Sequence, residues 1–445
     1  MLSQQEAKNL VDKVLSYSRL PECRIGIYAS ENVFIRFANN GITTSGYQLN
    51  HSVSIHSTTA DKRSGNADVS ELTDDSLRHG VEQAETMARI SKPNPEDMPP
   101  LGPQQYPEIA NFDTATGNSR GDAMIGHVKG IIESGRARKL TAAGFVQRTA
   151  SWTAMANKAG LFGYHQNTEA TLSNTMRNAG GTSSGWSTQV STALRDLDGA
   201  SAARISVEKC VTGEGKKRLE PGKYTVILEP AAVSDLIGYV GYSMSARSAE
   251  QGQSFLSKKG DKQGETLLGE KLFPEFITLR SDPFNPKLAA TPWGSTLLPN
   301  EKIAWIENGV VKNLYYDRFW AQKAGKKPTP FPGNLVLEGQ NHTLADLIQA
   351  AERAILVTRL WYMRMLQPQT LQVTGLTRDG LFLVENGKVT APVMNFRWND
   401  SPVRVLQNTK MLSQPVATQG AEAGSSFAPA LMAADFNFAS VSDAV

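Results

Sequence analysis

The chain has 445 residues, 40% of them hydrophobic and 20% charged, with a formal net charge of +3. That length gives room for two or three domains with ample core. Near-neutrality leaves no electrostatic footprint for nucleic acid, no apolar run is long enough to span a membrane, and two widely separated cysteines, Cys23 and Cys210, fit a reducing cytoplasm better than a disulfide framework.

Ser3 to Glu6 reads S-x-x-E, a capping box, and Leu10, Val11, Val14 and Leu15 form the apolar stripe of a first helix. Polar and acidic residues interrupt this segment, so it does not read as a signal peptide. Ile25/Ile27 and Val33/Ile35 alternate as half-buried antiparallel strands do, with a hairpin turn at Asn40-Gly41. Ser64-Gly65-Asn66-Ala67 then leads to a helix capped by Thr73, with Leu77, Val81, Ala84 and Ala88 facing inward. Six prolines between Lys92 and Pro107 mark a semi-rigid linker. Ile125, Val128, Ile131 and Ile132 line one side of the next helix. From Lys139 to Asp198 the pattern has period two, with a turn or bulge at Gly180-Gly181, and Ala200 to Val211 reads as helix. The division is therefore an N-terminal domain at 1–92, a linker at 93–110, a strand-rich middle region at 111–215 and a core domain at 216–445. The expected class is α+β, with antiparallel sheets and packed helices.

The core domain opens with a strand, Tyr224 to Leu228, which ends at Glu229-Pro230 because proline suits the first turn of a helix. Val233, Leu236, Ile237, Val240 and Met244 follow at helical spacing. Gly238 and Gly241 interrupt that helix at ~1 kcal/mol each relative to alanine, a cost that a closely packed neighbour would explain. Asn308-Gly309, Asp379-Gly380 and Asn386-Gly387 carry hairpin signals, and Thr343 with Asp346 caps a short helix. Ser234 and Asp235 have no evident base, so they read as a solvated helix face. Cys210 beside Lys209 reads as a small buried side chain. Gly213-Glu214-Gly215-Lys216-Lys217 lacks phosphate-loop spacing, and no G-x-S-x-G elbow or dinucleotide fingerprint occurs. The six histidines, His51, His56, His79, His127, His165 and His342, include no pair with metal-site spacing on a helix.

VILEPAAVSDLIGYV and the later GQSFLSKKGDKQGETLLGEKLFPEFITLRSDP resemble the C-terminal core of the TldD/PmbA proteins, a family named for modulating DNA gyrase and viewed as peptide-cleaving. The resemblance extends to NLVLEGQNHTLADLI, GLFLVENGKVTAPV, SSFAPALMAADF and an N-terminal S-G-x-A-x-x-x-x-L-T pattern at Ser64 to Thr73. It departs at WYMRMLQPQTLQVTG, where the family carries a Gly- and Asn-rich segment. In that family the active subunit holds zinc on a His-Glu-x-x-x-His helix and supplies a further cysteine near its C-terminus. Here the matching helix has no histidine, and no cysteine follows Cys210. The chain therefore resembles the zinc-less PmbA (TldE) subunit. That resemblance implies a non-catalytic part of a peptide-degrading or peptide-maturing complex. It implies a homodimer, or a heterodimer with a zinc-bearing TldD-like subunit, that holds extended peptides, with zinc in that partner alone. The alternative is a homodimeric peptide-binding module without a protease partner. Residues assigned to the channel or interface are Gly238, Gly241, Tyr242, Gln253, Ser254 and Phe255, with the segment 252–271 and the aromatic-rich 305–320 region beside them.

Overall fold

The computed structural model describes residues 1–260 and 264–443. The N-terminal elements are α1 (Gln4–Tyr17), β1 (Glu22–Ala38), β2 (Gly41–Thr58), β3 (Ser64–Val69) and α2 (Asp74–Ile90). Past the proline-rich stretch come α3 (Thr114–Asn118), α4 (Asp122–Ala137), β4 (Thr141–Asn157), β5 (Phe162–Arg177), β6 (Ser184–Ser191) and α5 (Gly199–Thr212). The capping box is complete, with Ser3 and Glu6 bonding reciprocally across the first turn. All six strands form one antiparallel sheet in the order β3-β2-β1-β4-β5-β6. Its spine is β1, which pairs with β2 along one edge and with β4 along the other, from Arg24↔Asn157 to Phe37↔Gly144. The sheet thus runs across residue 92, and the 111–215 strands complete it.

Side-chain alternation sets the layers. Cys23, Ile25, Ile27 and Ala29 of β1 pack under α1 and α2, and Val33, Ile35 and Phe37 of the same face pack under α4 and α5. Both helix pairs therefore cover one face of the sheet. The first hairpin turns at Asn39-Asn40, one residue earlier than its Asn-Gly signal, because Ala38 pairs with Gly41. Both turn residues have positive φ, 50° and 59°, which asparagine tolerates.

The C-terminal half contains β7 (Gly222–Leu228), α6 (Pro230–Tyr242), α7 (Ala246–Glu250), β8 (Leu279–Ser281), β9 (Ile303–Glu307), β10 (Val310–Val311), α8 (Arg318–Ala324), β11 (Leu335–Leu337) and α9 (Leu344–Ala350). It continues with β12 (Arg353–Gln367), β13 (Gln372–Glu385), β14 (Lys388–Pro392), β15 (Asn395–Asp400), α10 (Pro402–Gln407), β16 (Thr409–Leu412), β17 (Val416–Gln419), β18 (Ser425–Ala428) and β19 (Leu431–Ser442). One sheet runs β10-β9-β8-β11-β18-β17. The other runs β12-β7-β19-β15-β13, and β13 pairs back onto β12, so these five strands close into a ring. Phe396, Trp398, Phe436 and Phe438 fill its core, in stacked and tilted contacts.

Asn308-Gly309 and Asn386-Gly387 form two-residue turns as expected, between Glu307 and Val310 and between Glu385 and Lys388. Asp379-Gly380 does not. It lies inside β13, where the register slips opposite Thr358, so the positive-φ pair makes a bulge. The bulge buries the Asp379 carboxylate against Arg359, whose guanidinium lies 4.5 Å from the ring centre of Trp186 in β6. That contact joins the two halves, as does Arg247, which bonds Glu96 at 2.7 and 2.9 Å. In the aromatic 305–320 stretch Trp305 is fully buried, and Tyr316 and Trp320 both donate to Glu250 at 2.8 and 2.7 Å. Among the described residues no helix is long and apolar enough to cross a membrane.

Candidate functional site

The α6 stripe is buried as its spacing predicts: Val233, Ile237 and Val240 are fully covered and Leu236 nearly so. The opposite side of α6 opens on a cavity of about 700 Å³. Ser234, Gly238, Tyr239 and Tyr242 form its helical wall, Phe331 to Leu335 a second wall, Met363 to Met365 of β12 a third, and the 422–426 segment the fourth. Phe331 meets Tyr242 and Tyr315 edge-on, with ring centres 6.3 and 5.3 Å apart. The surface is an apolar, aromatic trough with a few polar groups.

Both glycines of α6 serve close approach. A Cβ on Gly238 would sit 2.5 Å from the Ala423 side chain, and one on Gly241 would sit 2.7 Å from Leu335. Their cost in helix propensity is repaid by letting the loop and β11 close on the helix.

One wall of the trough is an open strand edge. β7 pairs with β12 only from Ile355 to Val357, because Pro230 then turns the chain into α6. Beyond Val357, among the described residues, no strand pairs with β12 on that side. β12 also bulges at Tyr362, whose φ is 52°. The Met363 amide is met by the Glu422 carboxylate at 2.7 Å, and the other oxygen of Glu422 accepts from Arg364 at 3.2 Å. A side chain stands where a neighbouring strand's carbonyl would stand.

Ser234 and Asp235 are not on a solvated face; both are buried. The Asp235 carboxylate accepts three backbone N–H groups, from Ala421 at 3.0 Å and from Glu422 and Ala423 at 2.9 Å each. Burial pushes its carboxyl above the ordinary range, and the three amides oppose that shift. Ser234 bonds Ser426 at 2.8 Å and the Gly424 carbonyl at 3.3 Å. Together they fix the loop that places Glu422. On the far side Glu169 of β5, raised by burial, accepts from Ser425 at 3.3 Å.

Of the residues assigned from sequence, Gly238 and Tyr242 line the trough and Gly241 packs beneath Leu335, which does. Gln253, Ser254 and Phe255 lie elsewhere, after α7. Ser254 and Phe255 are buried, their neighbour Leu256 completely, and Gln253 is exposed. Residues 261–263 of the 252–271 segment lie outside the described residues. Sequence reasoning missed Tyr239, Phe331, Met363, Arg364 and Glu422.

Among the described residues no three His, Cys, Asp or Glu side chains come together as a metal site. His165 is buried, bonds Asn111 at 3.1 Å and is lowered by burial, so it is a neutral structural group. Cys210 is buried and its thiol is raised by burial, the opposite of an activated nucleophile.

The five-strand ring with its helix, joined to a helix-covered antiparallel sheet, is a fold that recurs in solved proteins of low sequence identity to this chain. Residues 221–440 match the family described as PmbA/TldA metallopeptidase C-terminal domain. The chain belongs to the TldD/PmbA family. It is 24% identical to "Metalloprotease PmbA" of Escherichia coli O157:H7 over 228 residues, a match that spans 50% of this chain and only 45% of that relative. TldE from Thermococcus kodakarensis superimposes with a TM-score of 0.84 at 20% identity, covering 97% of this chain and 99% of that one. A Bacteroides thetaiotaomicron protein described as a candidate modulator of DNA gyrase has a TM-score of 0.84 at 19% identity, covering 99% and 100%. A Thermotoga maritima protein of like description has a TM-score of 0.82 at 18% identity, covering 97% and 100%.

The side chains of α6 do not fit the zinc of the family's metallopeptidases. Zinc takes imidazole, thiolate or carboxylate. The trough side of α6 offers Ser234, Gly238, Tyr239 and Tyr242, and the helix's single carboxylate, Asp235, is committed to three amides.

Proposed function

We propose that this chain is a zinc-less subunit that grips extended peptides in the trough beside α6 and works with a zinc-bearing relative that cuts them. The observation that carries this reading is the open edge of β12 facing an apolar trough, with Glu422 on one of its amides. An edge of that kind recruits a peptide by main-chain hydrogen bonds, which are indifferent to sequence, while the apolar walls favour hydrophobic side chains. Such tolerance suits a complex that trims or degrades many peptides. The match to a relative named as a metalloprotease supports the partnership with peptide cleavage.

Titration of the purified chain with fluorescent, unfolded, apolar peptides tests this. Binding without cleavage is expected, with no stoichiometric zinc. Tyr242 is 71% exposed, so Tyr242→Ala leaves the fold intact. It removes an aromatic wall and weakens binding by roughly fivefold, about 1 kcal/mol. Chelator-sensitive cleavage by the chain alone, or no peptide binding either alone or beside a zinc-bearing relative, overturns the reading.

A further inference from the structure

The trough beside α6 is apolar but not uncharged. Among the described residues two charged side chains line it, Arg364 and Glu422, and they are paired. One Glu422 oxygen accepts the Met363 amide at 2.7 Å and the other accepts from Arg364 at 3.2 Å. A single carboxylate thus bridges a backbone N–H and a guanidinium, two groups that only donate. The guanidinium does not rely on Glu422 for its place. It also donates to the Met363 carbonyl at 2.6 Å and stands 4.6 Å from the ring centre of Tyr362. Glu422 itself comes from an exposed loop, and among the described residues its carboxylate has no third partner.

Met363 is also where the edge begins. It is the first residue of β12 on the trough wall, and the bulge at Tyr362 interrupts the ladder immediately before it. A strand laid along Met363 to Met365 must stop there, so an end of the guest meets these donors. A peptide N-terminus would bring only N–H groups to that point. A C-terminus brings two acceptor oxygens, which is what Glu422 supplies. Acidic side chains of a strand on this edge point above or below the sheet, away from the line of edge amides.

We infer that the Met363 amide and Arg364 form a cradle for the C-terminal α-carboxylate of a bound peptide, and that Glu422 fills the cradle until the peptide displaces it. The inference rests on the trough reading and names its ligand class: peptides with a free C-terminus whose last residues are apolar and lie against Tyr239, Tyr242 and Phe331. Burial first, and then the Glu422 charge, raise the Tyr239 hydroxyl, so the phenol stays protonated and adds a donor to that wall. A neutral carbonyl from the middle of a chain could take the amide, but it would leave Arg364 and Glu422 without their present charged partners. Hydrolysis of a peptide bond consumes one water and creates one such carboxylate at each cut, so the class of reaction that supplies this ligand is peptide cleavage itself.

The test uses one apolar sequence, labelled at its N-terminus and made as the free acid, as the C-terminal amide, and as an amide carrying an internal glutamate. Each is titrated into the full chain as wild type, Arg364→Gln and Glu422→Ala. Wild type should bind the free acid roughly tenfold tighter than either amide. Arg364→Gln should bring acid and amide within about twofold of each other, and Glu422→Ala should tighten the acid by roughly threefold and widen the gap. The Arg364 side chain is 60% exposed and Glu422 lies on an exposed loop, so neither variant should move the thermal midpoint. A merely structural role would move the midpoint and leave the acid-to-amide ratio alone. Equal wild-type affinity for acid and amide, an internal glutamate that substitutes for the free end, or weaker binding of the acid by Glu422→Ala overturns the inference and leaves the trough reading standing. Failure of every peptide to bind overturns the trough reading and this inference with it.

Discussion

Replacing Asp235 with alanine tests how the trough is built. Three amides of the 421–423 loop give their N–H groups to this carboxylate. Hydrogen bonds to a charged partner are worth about 1.5–3 kcal/mol each, and a buried donor left without an acceptor costs about 1–3 kcal/mol. Two effects reduce the sum. The wild-type carboxylate already bears the penalty of burial, seen in its raised pKa, which alanine removes. Glu422, Ala423 and Gly424 are exposed, so water can reach the freed amides once the loop relaxes. The expected loss is therefore roughly 2–4 kcal/mol, below the sum of three bonds. Asp235→Asn should lose less, because its carbonyl oxygen can still accept from Glu422 and Ala423 while its NH2 group meets only the Ala421 N–H. Urea unfolding gives the stability term. Peptide titration gives the second readout, because a freed loop no longer holds Glu422 against the Met363 amide. A loss below about 0.5 kcal/mol, typical of exposed positions, together with unchanged peptide affinity would refute the argument.

Two further outcomes follow from the packing. Leu236→Ala, in the buried stripe of α6, should lower unfolding stability by about 2–5 kcal/mol, and a loss under about 1 kcal/mol would mean the stripe is loosely packed. Glu85 of α2 is buried; burial pushes its carboxyl up, but the amides of Arg19 and Leu20, the Ser18 hydroxyl and Arg89 pull harder, and it titrates below its ordinary value. A depressed folded pKa stabilises above the unfolded value near 4.5 and loses that stability as pH falls through the folded value. Acid unfolding of the wild type should therefore be steeper below about pH 4.5 than that of Glu85→Gln, and parallel curves would remove Glu85 from the account.

What the sequence disclosed depended on range. The α6 stripe, the capping box at Ser3 and the turns at Asn308-Gly309 and Asn386-Gly387 are local patterns, and the structure keeps them. Asp235 was misread because its partners lie some 186 residues downstream; nothing near it in the chain announces a buried acceptor. Asp379-Gly380 was half legible. The dipeptide does signal positive φ, but whether that becomes a turn or a bulge depends on β12 continuing to pair on both sides of it. The glycines of α6 could be flagged as a cost, while the neighbours that explain them, Ala423 and Leu335, come from segments about 90 to 190 residues away. Trp305 and Trp320 were ambiguous because aromatic residues serve cores and interfaces alike.

The position of β19 constrains the order of assembly during synthesis. Of the five ring strands β19 is made last; it lies between β7 and β15 and pairs with β7 from Leu431↔Leu228 to Phe438↔Gly222. Translation proceeds at roughly 5–20 residues per second, so β7 waits about 10–40 s for that neighbour. Until β19 leaves the ribosome the ring has a gap in its wall, and the aromatic residues beside it have nothing to pack against. The strand pairs and covering helices of the N-terminal sheet are all made by the end of α5, so it can form on the nascent chain. The two halves therefore mature at different moments, and a nascent chain stalled before β19 emerges would present a folded sheet tethered to an open, adhesive barrel, a natural substrate for chaperones.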